Sequence, residues 1–227
     1  MMHYINLGLI FVAGLDVGLA ALIYWRNKRS KINISFALGV LFLALWTLGV
    51  AMFREATTQP VALFWTWIQN GFGSYLVIPF FCFSLYFPYQ NYVLKKWQIF
   101  LIVVSTVIMT LIVIIPGFWI RTINLVPFNN DYDLNFWGIV YFNLYFYFYS
   151  IFGFVNLFKK YFSANGFAKV QLSYIISALG VVALVGSIFA VFIPLLVLHS
   201  VGPYWIGPYF SLPMIAIIIH FLYRGAR

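Results

Sequence analysis

Few polar side chains interrupt the apolar stretches of this 227-residue chain, and their positions limit what chemistry it can do. Asp16 is the one acid inside such a stretch. About twelve residues from the stretch's start, it lies roughly 18 Å down a helix, near mid-membrane. An ionised carboxylate there is costly, so it must face protein, carry a proton or meet a partner. It is either a ligand, proton or ion site, or a buried hydrogen-bonded acid that fixes helix packing. His220, roughly 24 Å along the last stretch, lies at a comparable depth. It is either an intramembrane polar partner for Asp16 or a side chain that snorkels to the interface. In the third stretch Trp67, Asn70 and Ser74 share one helical face, and in the fifth Asn143, Tyr147 and Ser150 do the same. These six would line an aromatic-walled pocket for a small ligand. Alternatively, they bond helix to helix.

Other chemistry lacks its residues. The last stretch has no lysine for a retinal Schiff base, and no HExxH, GxSxG, paired intramembrane aspartates or phosphate-binding glycine loop occurs. Cys82 is the only cysteine, which excludes an internal disulfide and a cysteine-built metal site. No catalytic residue, metal ligand or cofactor is expected.

The elements that carry these residues follow from composition. A chain that is 64% apolar, 22% aromatic and 7% charged has too little polar surface to face water. Seven apolar stretches, at about 4–25, 34–53, 62–87, 99–115, 137–158, 170–198 and 204–223, each approach or exceed the ~20 residues a membrane-crossing helix needs. Backbone groups in hydrocarbon must be satisfied within the protein, and unbroken runs without strict alternation choose helices over a barrel. The fold class is therefore all-α, a polytopic bundle of seven transmembrane helices forming one domain over 1–227. Residues 117–136 make the longest connection. Strand-like Phe118-Trp119-Ile120-Arg121-Thr122-Ile123 and the turn formers Pro127 and Asn129-Asn130-Asp131 predict a small hairpin between the fourth and fifth helices.

Eleven of the thirteen basic residues fall on alternate turns: Arg26, Lys28, Arg29, Lys31, Lys95, Lys96, Lys159, Lys160, Lys169, Arg224 and Arg227. Only Arg54 and Arg121 fall on the other side. The positive-inside rule then puts the N-terminus and hairpin outside and the C-terminus in the cytoplasm. The net charge of +9 meets anionic lipid headgroups, and with no soluble module to present it, nucleic acid is not a partner. With no basic residue ahead of it and no small-residue cleavage site, the first stretch is a retained helix.

Pro79, Pro194, Pro208 and Pro213 are expected to kink their helices. Ser173, Ser177, Gly180 and Ser187 form a small-residue stripe on the sixth helix. Gly14 and Gly18 form another, facing away from Asp16, which would suit a homodimer.

Several segments resemble the seven-transmembrane N-terminal sensor region of bacterial histidine kinases. They are Asn33-Ile34-Ser35-Phe36-Ala37, Ala44-Leu45-Trp46-Thr47-Leu48-Gly49, Pro79-Phe80-Phe81-Cys82-Phe83-Ser84-Leu85-Tyr86, Lys169-Val170-Gln171-Leu172 and Gly207-Pro208. The resemblance implies a sensory module in the bacterial cytoplasmic membrane that detects an extracytoplasmic or intramembrane stimulus, a small molecule or lipid. It would pass the signal through its last two helices to a cytoplasmic output domain or partner protein. Kinase activity would lie in a further C-terminal domain, so these residues are not expected to be an enzyme. A small proton- or cation-coupled transporter is the rival expectation, with Asp16 as the coupling site.

Overall fold

The computed structural model describes residues 4–128, 130–188 and 204–224. Long runs of Leu, Ile, Val and Phe coil into α1 (Tyr4–Arg26), α2 (Lys31–Glu55), α3 (Gln59–Tyr75), α4 (Val77–Tyr86), α5 (Lys96–Ile114), α6 (Phe136–Ser163) and α7 (Gly166–Ser187). A 3-10 segment, Tyr204–Phe210, leads into α8 (Ser211–Arg224). Counting α3 and α4 as the span Gln59–Tyr86, six helices among the described residues are long and apolar enough to cross a membrane. At the place of the seventh expected crossing stand the 3-10 segment and α8, apolar over the shorter piece Trp205–Ile217. Residues 189–203, where the sequence expects the end of the sixth helix and the Pro194 kink, lie outside the described residues.

Proline explains one departure from the expected boundaries. Pro79 has no N–H to offer the Tyr75 carbonyl, and the stretch expected as one helix breaks at Leu76 into α3 and α4. Pro208 lies inside the 3-10 segment, and Pro213 falls in the first turn of α8, where the missing donor bends nothing. The expected hairpin forms between β1 (Ile120–Asn124) and β2 (Asp131–Leu134), antiparallel, with Thr122 opposite Asp133 and its hydroxyl donating to the Asp133 carboxylate at 2.7 Å.

α2 is the centre of the bundle and packs against α1, α3, α4 and the 3-10 segment. Its first turn is fixed by Ser30, whose hydroxyl accepts from the Asn33 N–H, while Asn33 Nδ2 donates to the Ile23 carbonyl of α1. Further along, Gly49 lets α3 approach so closely that an added Cβ would lie 2.8 Å from the Gln69 backbone. Trp46 fills the neighbouring space edge to edge. A Cβ at Gly73 would come 3.0 Å from its Cδ1, and one at Gly207 would come 3.0 Å from its Cη2. The largest apolar core runs through α1, α2, α4, α6, α7 and α8, and a second, richer in tyrosine, joins α4, α5 and α6 under the hairpin. The bundle thus has a hairpin end and an opposite end at which the lysine-rich turns gather.

The Gly49 contact makes a direct test. Gly49→Ala should cost about 1–3 kcal/mol by overpacking against backbone that cannot yield, lowering the melting temperature in detergent by roughly 2–4 °C per kcal/mol. Gly14→Ala, with nothing within 4 Å, should melt at or above the parent temperature. Equal melting of the two variants would contradict the close α2–α3 approach.

Candidate functional site

At the hairpin end, β2 inserts Tyr132 between helices. Its ring packs edge-on against Phe53 of α2, with centroids 5.3 Å apart. Its phenol donates to Asn70 Oδ1 at 3.2 Å and accepts from Gln69 Nε2 at 2.7 Å. Asn70 is held in turn by donating to the Thr66 carbonyl, one turn back on α3. Burial pushes the Tyr132 phenol well above its ordinary pKa, opposed by these two hydrogen bonds, so it stays a neutral donor. Two residues earlier, Asn130 Nδ2 donates to the carbonyls of Phe53 and Ala56 at 2.8 and 2.6 Å, and its Oδ1 accepts the Val126 N–H. The last carbonyls of a helix lack intrahelical partners, so one hairpin side chain closes the end of α2.

The same turn of α2 reaches in the other direction. Arg54, 4% exposed, donates through Nε to Asn6 Oδ1 of α1 at 2.9 Å, and Asn6 donates to Glu55. The Arg54 guanidinium lies 5.6 Å from the Trp205 ring centroid in the 3-10 segment. Tyr209 completes the latch by donating to the Ile5 carbonyl, over Gly8, where a side chain would strike its phenol oxygen. The hairpin, α1, α2 and the segment leading into α8 therefore meet at one buried turn.

Below the hairpin, α3, α5 and α6 bring hydroxyls together in an aromatic setting. Tyr75 pairs with Thr110 at 2.6 Å and Tyr149 with Ser105 at 2.7 Å. Beside them the Thr106 and Tyr145 hydroxyls are buried next to each other, outside close hydrogen-bond geometry, and the Trp119 indole N–H is buried without a hydrogen-bond partner. Such groups either take a small polar ligand or water, or are costly. They can orient a ligand, but they include no acid or base for catalysis. Among the described residues no group of three or more His, Cys, Asp or Glu could hold a metal ion.

The residues singled out from sequence fall into four places. Trp67 packs in the tyrosine-rich cluster, Asn70 binds Tyr132, and Ser74 is buried with its hydroxyl given to the Gly71 carbonyl. Asn143 and Tyr147 lie on another side of α6, two residues or about 200° from the buried Tyr145 and Tyr149 stripe, and Ser150 lies about 100° from Tyr149. Asn143 Nδ2 bonds the Ile139 carbonyl of its own helix, while Asn143 Oδ1 and the Tyr147 hydroxyl are buried and unpartnered. Asn143 and Asn70 bond the carbonyls of their own helices, and no hydrogen bond joins them. Asp16 is fully buried, with neither carboxylate oxygen hydrogen-bonded. Ser211 at the start of α8 is beside it, but the Ser211 hydroxyl donates to the Pro208 carbonyl. His220 is exposed and about 13 Å further along the α8 axis than Ser211, so it is not the neighbour of Asp16. Sequence reasoning missed Gln69, Tyr132, Asn130, Asn6 and Arg54. The Ser105, Thr106 and Thr110 spacing on α5 was a visible signal.

Tyr132→Phe should leave the Gln69 amide and the Asn70 carbonyl without their buried partner, costing about 1–3 kcal/mol in detergent melts. The pH profile adds a signature. Free tyrosine ionises near pH 10, so the unfolded chain loses this proton before the folded one. The Tyr132 contribution is thus complete below about pH 10 and declines as pH rises further. The variant should lose stability less steeply on that limb; parallel limbs would show that Tyr132 is not buried.

The family model described as the N-terminal 7TM region of histidine kinase matches residues 9–224. No curated protein and no solved structure matches the chain. The match takes in every helix described above, from the second turn of α1 to the end of α8, along with the hairpin and the Arg54, Trp205 and Tyr209 side of the latch, while Ile5, Asn6 and Gly8 precede it. This multi-pass membrane protein belongs to the family of N-terminal seven-transmembrane regions of histidine kinases.

Proposed function

We propose that this sensory membrane module detects its stimulus at the hairpin end, outside the cell, and delivers it to an output domain or partner protein in the cytoplasm. The observation that carries the proposal is the double attachment of one turn of α2. Asn130 of the hairpin closes that turn, and Arg54 within it holds Asn6 and faces Trp205 just ahead of α8. A stimulus that displaces the hairpin, or occupies the hydroxyl cluster beneath it, changes the support of α2 and, through the latch, the position of α8. Signalling then requires two arrangements of the bundle that the stimulus binds unequally. The lysine-rich turns face the cytoplasm, where their charge is favoured.

Asp16 supports a second reading, a proton- or cation-coupled transporter, because a buried carboxylate without hydrogen-bond partners is tolerated when neutral or beside a cation. Solute uptake into vesicles that disappears in Asp16→Asn would establish it. A sensor predicts no such flux.

The sensor is tested in a Cys82→Ser background. In intact cells a membrane-impermeant thiol reagent should label Thr122→Cys on the hairpin and spare Lys95→Cys; the reverse would invert the orientation. Spin labels at Lys28→Cys and Lys169→Cys should report a shifted or broadened distance distribution when Asn130→Ala is added. An unchanged distribution would break the proposed link between the hairpin and the far end.

A further inference from the structure

Pro79 does more than break a helix. Beside the break, α4 faces Gly39 of α2, whose missing side chain leaves room; an added Cβ there would touch Pro79 at an ordinary 3.5 Å. The result is a one-sided cleft of about 60 Å³ between α2, α4 and α7, bordered by Gly39 and Leu43, Leu76 and Phe83, and Leu179. Its one hydroxyl, on Ser35, is already bonded to the carbonyls of Lys31 and Ile32. The walls therefore offer a ligand nothing but apolar contact. From Ser35 to Leu43 the cleft runs about 12 Å along α2, most of the roughly 15 Å depth of one hydrocarbon leaflet.

The end of the cleft is polar. Lys31, Ser35, Gly39 and Leu43 recur every fourth residue and so follow one line up α2. At the foot of that line Lys31 Nζ lies 5.4 Å from the Tyr86 ring centroid, closing the cleft between α2 and α4 with a cation and a phenol. Lys31 is exposed and follows the exposed pair Lys28 and Arg29. Lys160, near the same end of α4, differs, because it gives its ammonium to the carbonyls of Ser84, Leu85 and Phe87. A narrow apolar slot one leaflet deep, with a lysine at its interfacial mouth, has the form of a single amphiphile with a negative head.

We propose that this slot binds an anionic phospholipid, one acyl chain lying along Gly39 and Pro79 and the phosphate at Lys31. The test uses the intact chain in phosphatidylcholine vesicles containing a phosphatidylglycerol probe with a diazirine midway along one acyl chain. The same diazirine on phosphatidylcholine serves as the matched probe. After illumination, adducts at Leu43, Leu76 and Leu179 are compared with those on the exposed face of α5 from Ile99 to Leu111, which reports ordinary surrounding lipid. Slot adducts should exceed the α5 reference with the phosphatidylglycerol probe. Lys31→Gln should reduce them about five-fold, the effect of one lysine at an anionic surface, without altering the phosphatidylcholine signal. Leu179→Trp, which fills the slot from α7 without parting α2 from α4, should abolish them for both probes. Slot adducts that match the α5 reference, ignore Leu179→Trp, or are equal for the two probes would overturn the proposal.

Discussion

A helix in hydrocarbon satisfies its own backbone along its length but not at its ends, and in this bundle the ends are closed by side chains from elsewhere in the chain. Asn130 of the hairpin serves the carbonyls at the end of α2. Lys160 of α6 serves those at the end of α4 with a single ammonium. Ser30 and Asn33 do the same locally where α2 begins, and Asn33 carries the link across to α1. Each cap is also a cross-brace. Removing one takes a donor or acceptor from a helix end and unties two elements, so capping and assembly are one requirement.

That requirement explains why polar residues concentrate on two levels. At the hairpin end Tyr132, Gln69 and Asn70 form one group, and Asn6, Arg54 and Glu55 another. Between the levels the bundle is held by apolar packing and close contacts at small residues, as at Gly49 and at Gly153, where Phe80 occupies the place of a side chain. The Ser105–Tyr149 and Tyr75–Thr110 pairs also cross this layer, and Asp16 is buried in it as the one acid, with its oxygens unpaired. An isolated group of that kind is where protonation or a bound cation has the largest effect on packing.

Much of the fold was legible because long apolar runs admit few alternatives. Six membrane-length helices followed from those runs, the hairpin from β-branched residues beside Pro127 and the asparagines, and the break in the third span from Pro79. The site was less legible. Periodicity told which residues share a face, as with Asn143 and Tyr147, but not which neighbour that face meets. Charge counting placed Arg54 in a loop, whereas Asn6 and Trp205 draw it inside. Lys160 looked like a headgroup contact and is a cap. Tyr132 and Gln69 are joined across 63 positions, and nothing local to either announces the other.

Trp46 limits how such a bundle can deform. Its indole reaches from Gly73 of α3 to Gly207 ahead of α8, with almost no clearance at either edge. A rigid plate wedged between two bare backbones resists compression along its length, and a screw-like turn of α2 would drive its rim into one of them. The spacing of the three segments at this depth is thereby gauged, and the easier deformation is a rocking of the trio as one piece about the plate.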